Sequence, residues 1–378
     1  MATPMASQGP QAESPRAAQQ QQRPPEAPLP CCRYGAASLC PATRRHNPNE
    51  RLRSAGTGYG TSPRCGLNYW KLAMTVDSVP PAKFEGAGPV PFNAVTKVPL
   101  SRSELLVSHC DLSGYGLEIG PSYNPIVPKK TGYRVDTLDH ADAATLREKY
   151  QNHDIDLSSI EEVTYVWSGE PLHELTQKTA HYNWIIASHV IEHTTDLVSF
   201  LAQCEHMLRA GGILSLAIPD HRYCFDIFRP VSTSGEVIQA FVEKRRRHSV
   251  GALFDHFSMG ATKQGALGWD SDTAGDYSLI HETVAHAQFV LDMAQKSDEY
   301  IDIHNWRFTP ASFKLILADI CSLGYLNMSI KSFYPTQGFE FVCQLQKTPG
   351  SGSALVGHES RLDLLMQIAN ESRFPIPG

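Results

Sequence analysis

Beyond Ser101 the chain alternates short apolar runs with longer stretches in which apolar residues recur every three or four positions. The first pattern is that of strands buried on both faces and the second that of helices with one apolar stripe. Their alternation predicts βαβ units around a parallel sheet. Strands are expected at Tyr115 to Ile119, Tyr133 to Leu138, Glu162 to Val166, Trp184 to Ser188, Gly212 to Ile218, Leu326 to Phe333 and Phe339 to Leu345. Helices are expected at Ala141 to Tyr150, Asp196 to Arg209, Val237 to Arg247, His281 to Lys296 and Pro310 to Leu323. The Asp196 stretch has apolar residues at 197, 200, 201 and 208 and meets Gly211-Gly212 as its stop. The Pro310 stretch opens on Thr309 as N-cap, with proline at the first helical position. The predicted class is α/β: three layers, a seven-stranded and mostly parallel sheet with helices on both faces, and the last strand antiparallel.

This domain should occupy residues 101–347, with residues 220–309 inserted between the fifth strand and the Pro310 helix. The insertion is rich in His, Asp and aromatic residues, and long insertions of this kind carry lids and binding loops. Residues 1–68 are rich in Pro, Gln, Ala, Ser, Gly and Arg without apolar periodicity, so a disordered tail is expected, followed by a linker over 69–100. Residues 348–378 read as a C-terminal tail.

Charge sharpens this division. Residues 1–75 hold nine Lys/Arg against three Asp/Glu, leaving 24 against 36 in the remainder, a net of −12. An acidic folded part argues against a phosphate backbone as partner, so no nucleic acid is expected. No apolar run reaches the length of about 18 residues that a membrane span needs, and the N-terminus lacks the apolar core of a secretory signal. The expected location is intracellular and cytoplasmic, with the Arg-rich, acid-poor tail leaving organellar targeting open. Nine scattered cysteines without a CxxC pair suggest reduced thiols.

Candidate chemistry gathers at the expected carboxyl ends of strands. Leu117-Glu118-Ile119-Gly120-Pro121-Ser122 runs an apolar strand into an acid and a glycine that would let backbone approach a ligand. The full GxGxxG fingerprint for a dinucleotide is absent. Twenty-one residues after Glu118, Asp139 ends the second strand. A carboxylate there can accept both hydroxyls of a bound ribose; the alternatives are a helix N-cap at Asp139 and Asp136 as the ribose acceptor. His189-Val-Ile-Glu192-His193 also fits the inverted zinc motif HxxEH. It follows a strand instead of lying within a helix, and spacing supplies no third ligand, so no metal is expected.

A strand ending in Ser188-His189-Val-Ile-Glu192-His193, then a helix, then Leu208-Arg-Ala-Gly-Gly into an apolar strand resembles class I, Rossmann-like S-adenosylmethionine-dependent methyltransferases. With Leu-Glu-Ile-Gly and Asp139 the resemblance covers about 230 residues. It implies that Glu118 and Gly120 face the methionine end of S-adenosyl-L-methionine, that Asp139 holds the ribose and Glu170 the adenine, and that Ala187, Ser188 and His189 line the pocket floor. The glycine-rich loop is reduced to one glycine, and Asn183 stands where an Asp is common. The segments Ile218 to Asp226 and His304 to Pro310 resemble methyltransferase-domain proteins associated with bacterial polysaccharide biosynthesis.

The resemblance implies methyl transfer to oxygen or nitrogen of a small-molecule or glycan acceptor. Displacement from a sulfonium releases a neutral thioether, so positioning does most of the work. A hydroxyl acceptor needs a base of near-neutral pKa, and His221, His189 and His193 are the candidates. Arg222, Arg307 and Trp306 are candidates for acceptor binding. Other readings are a catalytically silent cofactor- or partner-binding member of this fold and metal-dependent hydrolysis through His189 and His193. Oligomeric state is open.

Overall fold

The computed structural model describes residues 100–151, 155–298, 300–348 and 359–372. The expected disordered tail over 1–68 and the linker up to residue 99 lie outside the described residues. The central sheet has seven strands in the order β3-β2-β1-β4-β5-β9-β8. They are β1 (Gly116–Ile119), β2 (Val135–Asp139), β3 (Tyr165–Val166), β4 (Tyr182–Ser188), β5 (Leu208–Pro219), β8 (Met328–Gln337) and β9 (Glu340–Lys347). The first five are mutually parallel, and β9 enters antiparallel between β5 and β8. This is the expected Rossmann-like sheet, and its seven strands fall where the apolar runs placed them.

Strand alternation divides the side chains between two unequal faces. Leu117, Ile119, Leu138, Ile185, Ala187, Leu214, Leu216 and Ile218 point into the larger core. There they meet α4 (Leu197–Met207), α5 (Ser234–Glu243) and α8 (Pro310–Ser322) through Leu201, Cys204, Val237, Phe313, Ile316 and Ile320. The opposite face is thinner. Trp184 and Ile186 pack on Val127 and Val135, while Leu106 of α1 (Arg102–Val107) packs on Ala217 and Val342. Trp184 fits because β1 opposes it with Gly116, where a Cβ would stand 2.0 Å from the indole. The β1–β2 connection here has no α-helix, only a 3-10 turn at Lys129–Thr131. α2 (Ala143–Tyr150) closes the β2–β3 crossover with its own cluster of Ala143, Leu146 and Ile160, and the short α3 (Leu172–Thr176) precedes β4.

Helix starts obey local chemistry. Asp196 accepts from the Ser199 amide at 2.9 Å to open α4, and Thr309 caps α8 with proline behind it. Helix ends depart from expectation. α4 closes at Met207, not Arg209, because Leu208 already pairs with Tyr182, and Gly211-Gly212 lie in the irregular start of β5. α5 closes at Glu243 with Lys244 left-handed, so the basic run 244–248 is not a helix face: His248 is buried and Arg247 reaches Asp298.

The insertion holds more structure than a loop. Besides α5 it contains α6 (Val250–Met259), a two-stranded pair of β6 (Ala261–Lys263) and β7 (Tyr277–Leu279), and α7 (Ala285–Ala294). A satellite core of Leu253, Val290, Ala294 and Ile303 holds α6 and α7 together. The expected C-terminal tail also contains a helix, α9 (Arg361–Glu371), whose Leu364 packs on Ala311 and Leu315 of α8. No helix among the described residues is long and apolar enough to cross a membrane. The five described cysteines, 110, 204, 224, 321 and 343, are all free.

Candidate functional site

Parallel β1, β2, β4 and β5 bring their carboxyl ends to one rim, where Glu118, Gly120, Asp139, Ser188, His189 and His221 stand, while Trp306 and Arg307 come from the segment before α8. In the β1–β2 register Glu118 faces Thr137, so Glu118 and Asp139 share one face of the sheet on neighbouring strands. Each carboxylate grips the loop that follows β1. Glu118, only 2% exposed, accepts from the amides of Ile126 (2.6 Å) and Val127 (3.0 Å). Asp139, 3% exposed, accepts from the Ser122 amide at 2.9 Å and from the His140 amide and ring Nδ1 at 2.8 and 2.7 Å. Asp139 is therefore not a helix cap; α2 is capped by Asp142. Asp136 lies on the opposite face, bound by the hydroxyls of Tyr182 and Tyr115.

Between these anchors Gly120 has φ +69°, and a Cβ there would come within 2.9 Å of Val190 Cγ2. Only glycine combines that backbone with that approach. Ser122 Oγ, buried in the same loop, has no hydrogen-bond partner among the described residues. Glu170 lies on the next strand's exit: Trp167 donates its amide to the Asp139 carbonyl, and the Glu170 carboxylate accepts from Ser168.

Burial pushes the Glu118 carboxyl up to about 7, against the pull of its two amide donors. The folded protein thus keeps a proton that the unfolded chain has already released. The associated stability is fully present below the ordinary glutamate value of 4.5 and is lost as pH rises through about 7. The loss should reach about 3 kcal/mol at most. Urea unfolding across this window should show wild-type stability declining while Glu118→Gln stays flat. Parallel curves would remove Glu118 as the cause.

At the end of β4, Ala187 is a core residue paired with Ile119 and Leu216. Ser188 Oγ accepts from Arg102 at 2.6 Å. His189, with φ +54°, directs Nε2 to Glu340 at 2.7 Å, and Arg102 closes the group through both Glu340 oxygens. Arg102 and Glu340 were not anticipated, since their meeting depends on β9 inserting beside β5.

Glu192 and His193 follow in a 3-10 turn (Ile191–His193), beneath the segment 302–308. The Asn305 and Trp306 amides both donate to the Glu192 carbonyl, at 2.7 and 3.1 Å. His193 Nδ1 donates to Asp302 at 2.9 Å. Burial opposes its protonation, but Asp302 and Glu192 outweigh that and carry it up to about 8. His304 Nδ1 donates to Asp226 at 2.6 Å, and Asp226 also accepts from Arg229 at 2.6 Å. Glu192, His193 and His304 present ligand atoms within 4.8 Å of one another. His304 thus arrives from the far end of the insertion to join Glu192 and His193, while His189, the other histidine of HxxEH, turns away to Glu340. In the sequence His304 stands out only as the first residue of the segment running to Pro310, and Asp226 and Asp302 carry no signal of this meeting.

His221 is buried at the end of β5, its ring nitrogens without partners among the described residues, and burial lowers its pKa. It is a neutral imidazole. Arg222 is held by both oxygens of Asp220, at 2.9 and 2.6 Å. Trp306, 3% exposed, belongs to the large core and donates to Thr194 Oγ1. Arg307 donates to the carbonyls of Pro230 and Asn305. Trp306 and Arg307 both border a cleft of about 240 Å³ that Gln239, Arg245 and Asp255 also line.

No protein-family model matches the chain, and no curated protein does. Among solved structures it is similar to the CurJ carbon methyltransferase, at 14% identity over 64% of this chain and 51% of that one, TM-score 0.31. The chain thus spans about half of that protein. It is similar to the Burkholderia thailandensis 1,6-didemethyltoxoflavin-N1-methyltransferase solved with S-adenosylhomocysteine, at 12% identity over 65% and 76%, TM-score 0.33. It is also similar to a SAM-dependent methyltransferase from Methanosarcina mazei, at 13% identity over 67% and 100%, TM-score 0.34. The fold rests not on these likenesses but on the chain's own strand order and register, which give it a Rossmann-like α/β fold around a seven-stranded sheet.

Proposed function

We propose that the protein is an S-adenosyl-L-methionine-dependent methyltransferase acting on oxygen or nitrogen of a small-molecule or glycan acceptor. The observation that carries this reading is the meeting of Glu118, Gly120 and Asp139 on one rim of adjacent strands, where open α/β sheets bind ligands. The loop fits such a cofactor. Gly120 leaves backbone room, Ser122 Oγ is an unpaired polar atom, and a carboxylate has acceptor sites beyond those the Asp139 neighbours occupy. When bound, the cofactor supplies an electrophilic methyl group whose sulfonium leaves as a neutral thioether.

The chain's own residues position and deprotonate. Asp139 holds the ribose, Glu118 braces the loop at the methionine end, Glu170 lies on the adenine side, and Ala187, Ser188 and His189 form the floor. His221 is the base of choice, because burial favours its neutral form and its ring nitrogens are uncommitted among the described residues, whereas His189 is engaged by Glu340 and His193 by Asp302. Arg307 and Trp306 border the acceptor cleft; Arg222 orients that segment through Asp220. Residues 220–309 form the lid.

Calorimetry with the cofactor tests this. Wild type should bind, and Asp139→Ala should weaken binding by about 1–3 kcal/mol, the cost of leaving hydroxyls without a charged acceptor. A flat titration with folded wild type would remove the reading. A second reading, a catalytically silent member that binds the cofactor or a partner, is favoured by the reduction of the glycine-rich loop to Gly120 alone. Transfer of labelled methyl to any component of a cell extract would dismiss it.

A further inference from the structure

Glu192 is fully buried, and neither of its carboxylate oxygens has a hydrogen-bond partner among the described residues. A bare buried carboxylate costs several kcal/mol unless a cation or donor faces it. The nearest candidates are imidazoles, with His193 Nε2 at 3.8 Å and His189 Nδ1 at 3.6 Å, both beyond hydrogen-bond range. The histidines around it are set in a telling way. His193 and His304 each spend Nδ1 on a carboxylate, Asp302 and Asp226, which leaves Nε2 of each as the nitrogen that can meet a cation once any proton on it is displaced. Carboxylate–histidine pairs of this kind are the usual outer support of imidazole metal ligands.

We propose that Glu192, His193 and His304 bind a divalent transition-metal ion of the zinc class. Two imidazoles and one carboxylate suit such an ion and leave one tetrahedral position open. The charge balance agrees: once the metal has displaced any imidazole proton, Glu192, Asp226 and Asp302 against Arg229 leave two negative charges for a divalent cation to neutralise. Bonds of about 2.1 Å in a tetrahedral site hold ligand atoms about 3.5 Å apart. The present separations, up to 4.8 Å, therefore close modestly on binding.

The site lies immediately after β4, beyond the proposed cofactor floor. Resting on the methyltransferase reading, the open position takes a hydroxyl oxygen of the acceptor, which makes the acceptor class an alcohol. The cation acidifies that hydroxyl. Its proton passes to the His221 imidazole, the new O–CH3 bond forms, and the S–CH3 bond of the donor breaks to the thioether.

The test needs no methyl donor, so its failure is separable from failure of the cofactor reading. The full chain, stripped with chelator, is titrated with Zn²⁺ by calorimetry and with Co²⁺ by visible absorption. One equivalent should bind, raise the Tm and give ligand-field bands of a nitrogen/oxygen site. Glu192→Gln keeps shape and removes the charge. It should weaken binding by at least about 100-fold while the metal-free Tm stays level or rises. Asp302→Asn, at an exposed carboxylate, should weaken it about 10- to 100-fold through His193 alone. Absence of stoichiometric uptake by wild type, or wild-type affinity in both variants, overturns the proposal.

Discussion

Asp226→Ala should lower the free energy of unfolding by about 3–5 kcal/mol, the range expected when one partner of a buried ion pair is removed. Arg229 is 2% exposed and donates from Nη1 to Asp226 and to the His304 carbonyl, while its Nε and Nη2 have no partner among the described residues. Without Asp226 a guanidinium remains buried with one carbonyl for company. His304 loses its Nδ1 acceptor at the same time. Burial alone would raise the Asp226 carboxyl, but His304 and Arg229 outweigh it and hold it well below the usual carboxylate range. This contribution is therefore present above the ordinary carboxylate pKa and lost only in strong acid. Urea unfolding measures the effect, and Asp226→Ala combined with Arg229→Met should recover much of it, since the stranded charge is gone. A single variant within about 1 kcal/mol of wild type would show that the pair does not brace the fold.

Gly120→Val should abolish cofactor binding, with an affinity loss beyond about 100-fold, and cost about 3–5 kcal/mol of stability. The left-handed φ contributes roughly 1–3 kcal/mol for a branched residue, and the contact with Val190 Cγ2 contributes a similar amount. The function is lost because the 120–127 loop is pinned from both ends, by Asp139 at Ser122 and by Glu118 at Ile126 and Val127. A strained Gly120 cannot relax without tearing one anchor. Calorimetry alongside circular dichroism separates misfolding from lost binding, and Gly120→Ala should fall between the two. Cofactor affinity unchanged in folded Gly120→Val would discredit the placement of this loop.

The two carboxylates illustrate how far sequence reasoning reaches. An acid before a turn glycine and an acid at the next strand's end are visible as a spacing, and the sheet does bring them to one rim. Their present partners are not visible, because those are backbone amides of a loop whose path depends on the missing β1–β2 helix. The histidines show the same limit. His189 and His193 look like a pair in HxxEH, yet the turn after β4 sends His189 to Glu340 on β9 and leaves His193 to meet His304. Similarly, α9 is apolar at Leu362, Leu364, Leu365, Met366 and Ile368, yet only Leu364 is buried against α8, a choice made by the docking and not by the local pattern.

By itself the sequence determined the α/β class, the positions of the seven strands of the central sheet and the capped starts of α4 and α8. Each of these is set by side chains within a few residues, through burial period or a capping oxygen. Tertiary structure alone decided the helix ends at Met207 and Glu243, the Arg102–Glu340–His189 group and the Glu192–His193–His304 cluster. Those depend on which strands become neighbours and on an insertion folding back over the rim. Contacts between residues a hundred positions apart leave no periodic trace in the chain.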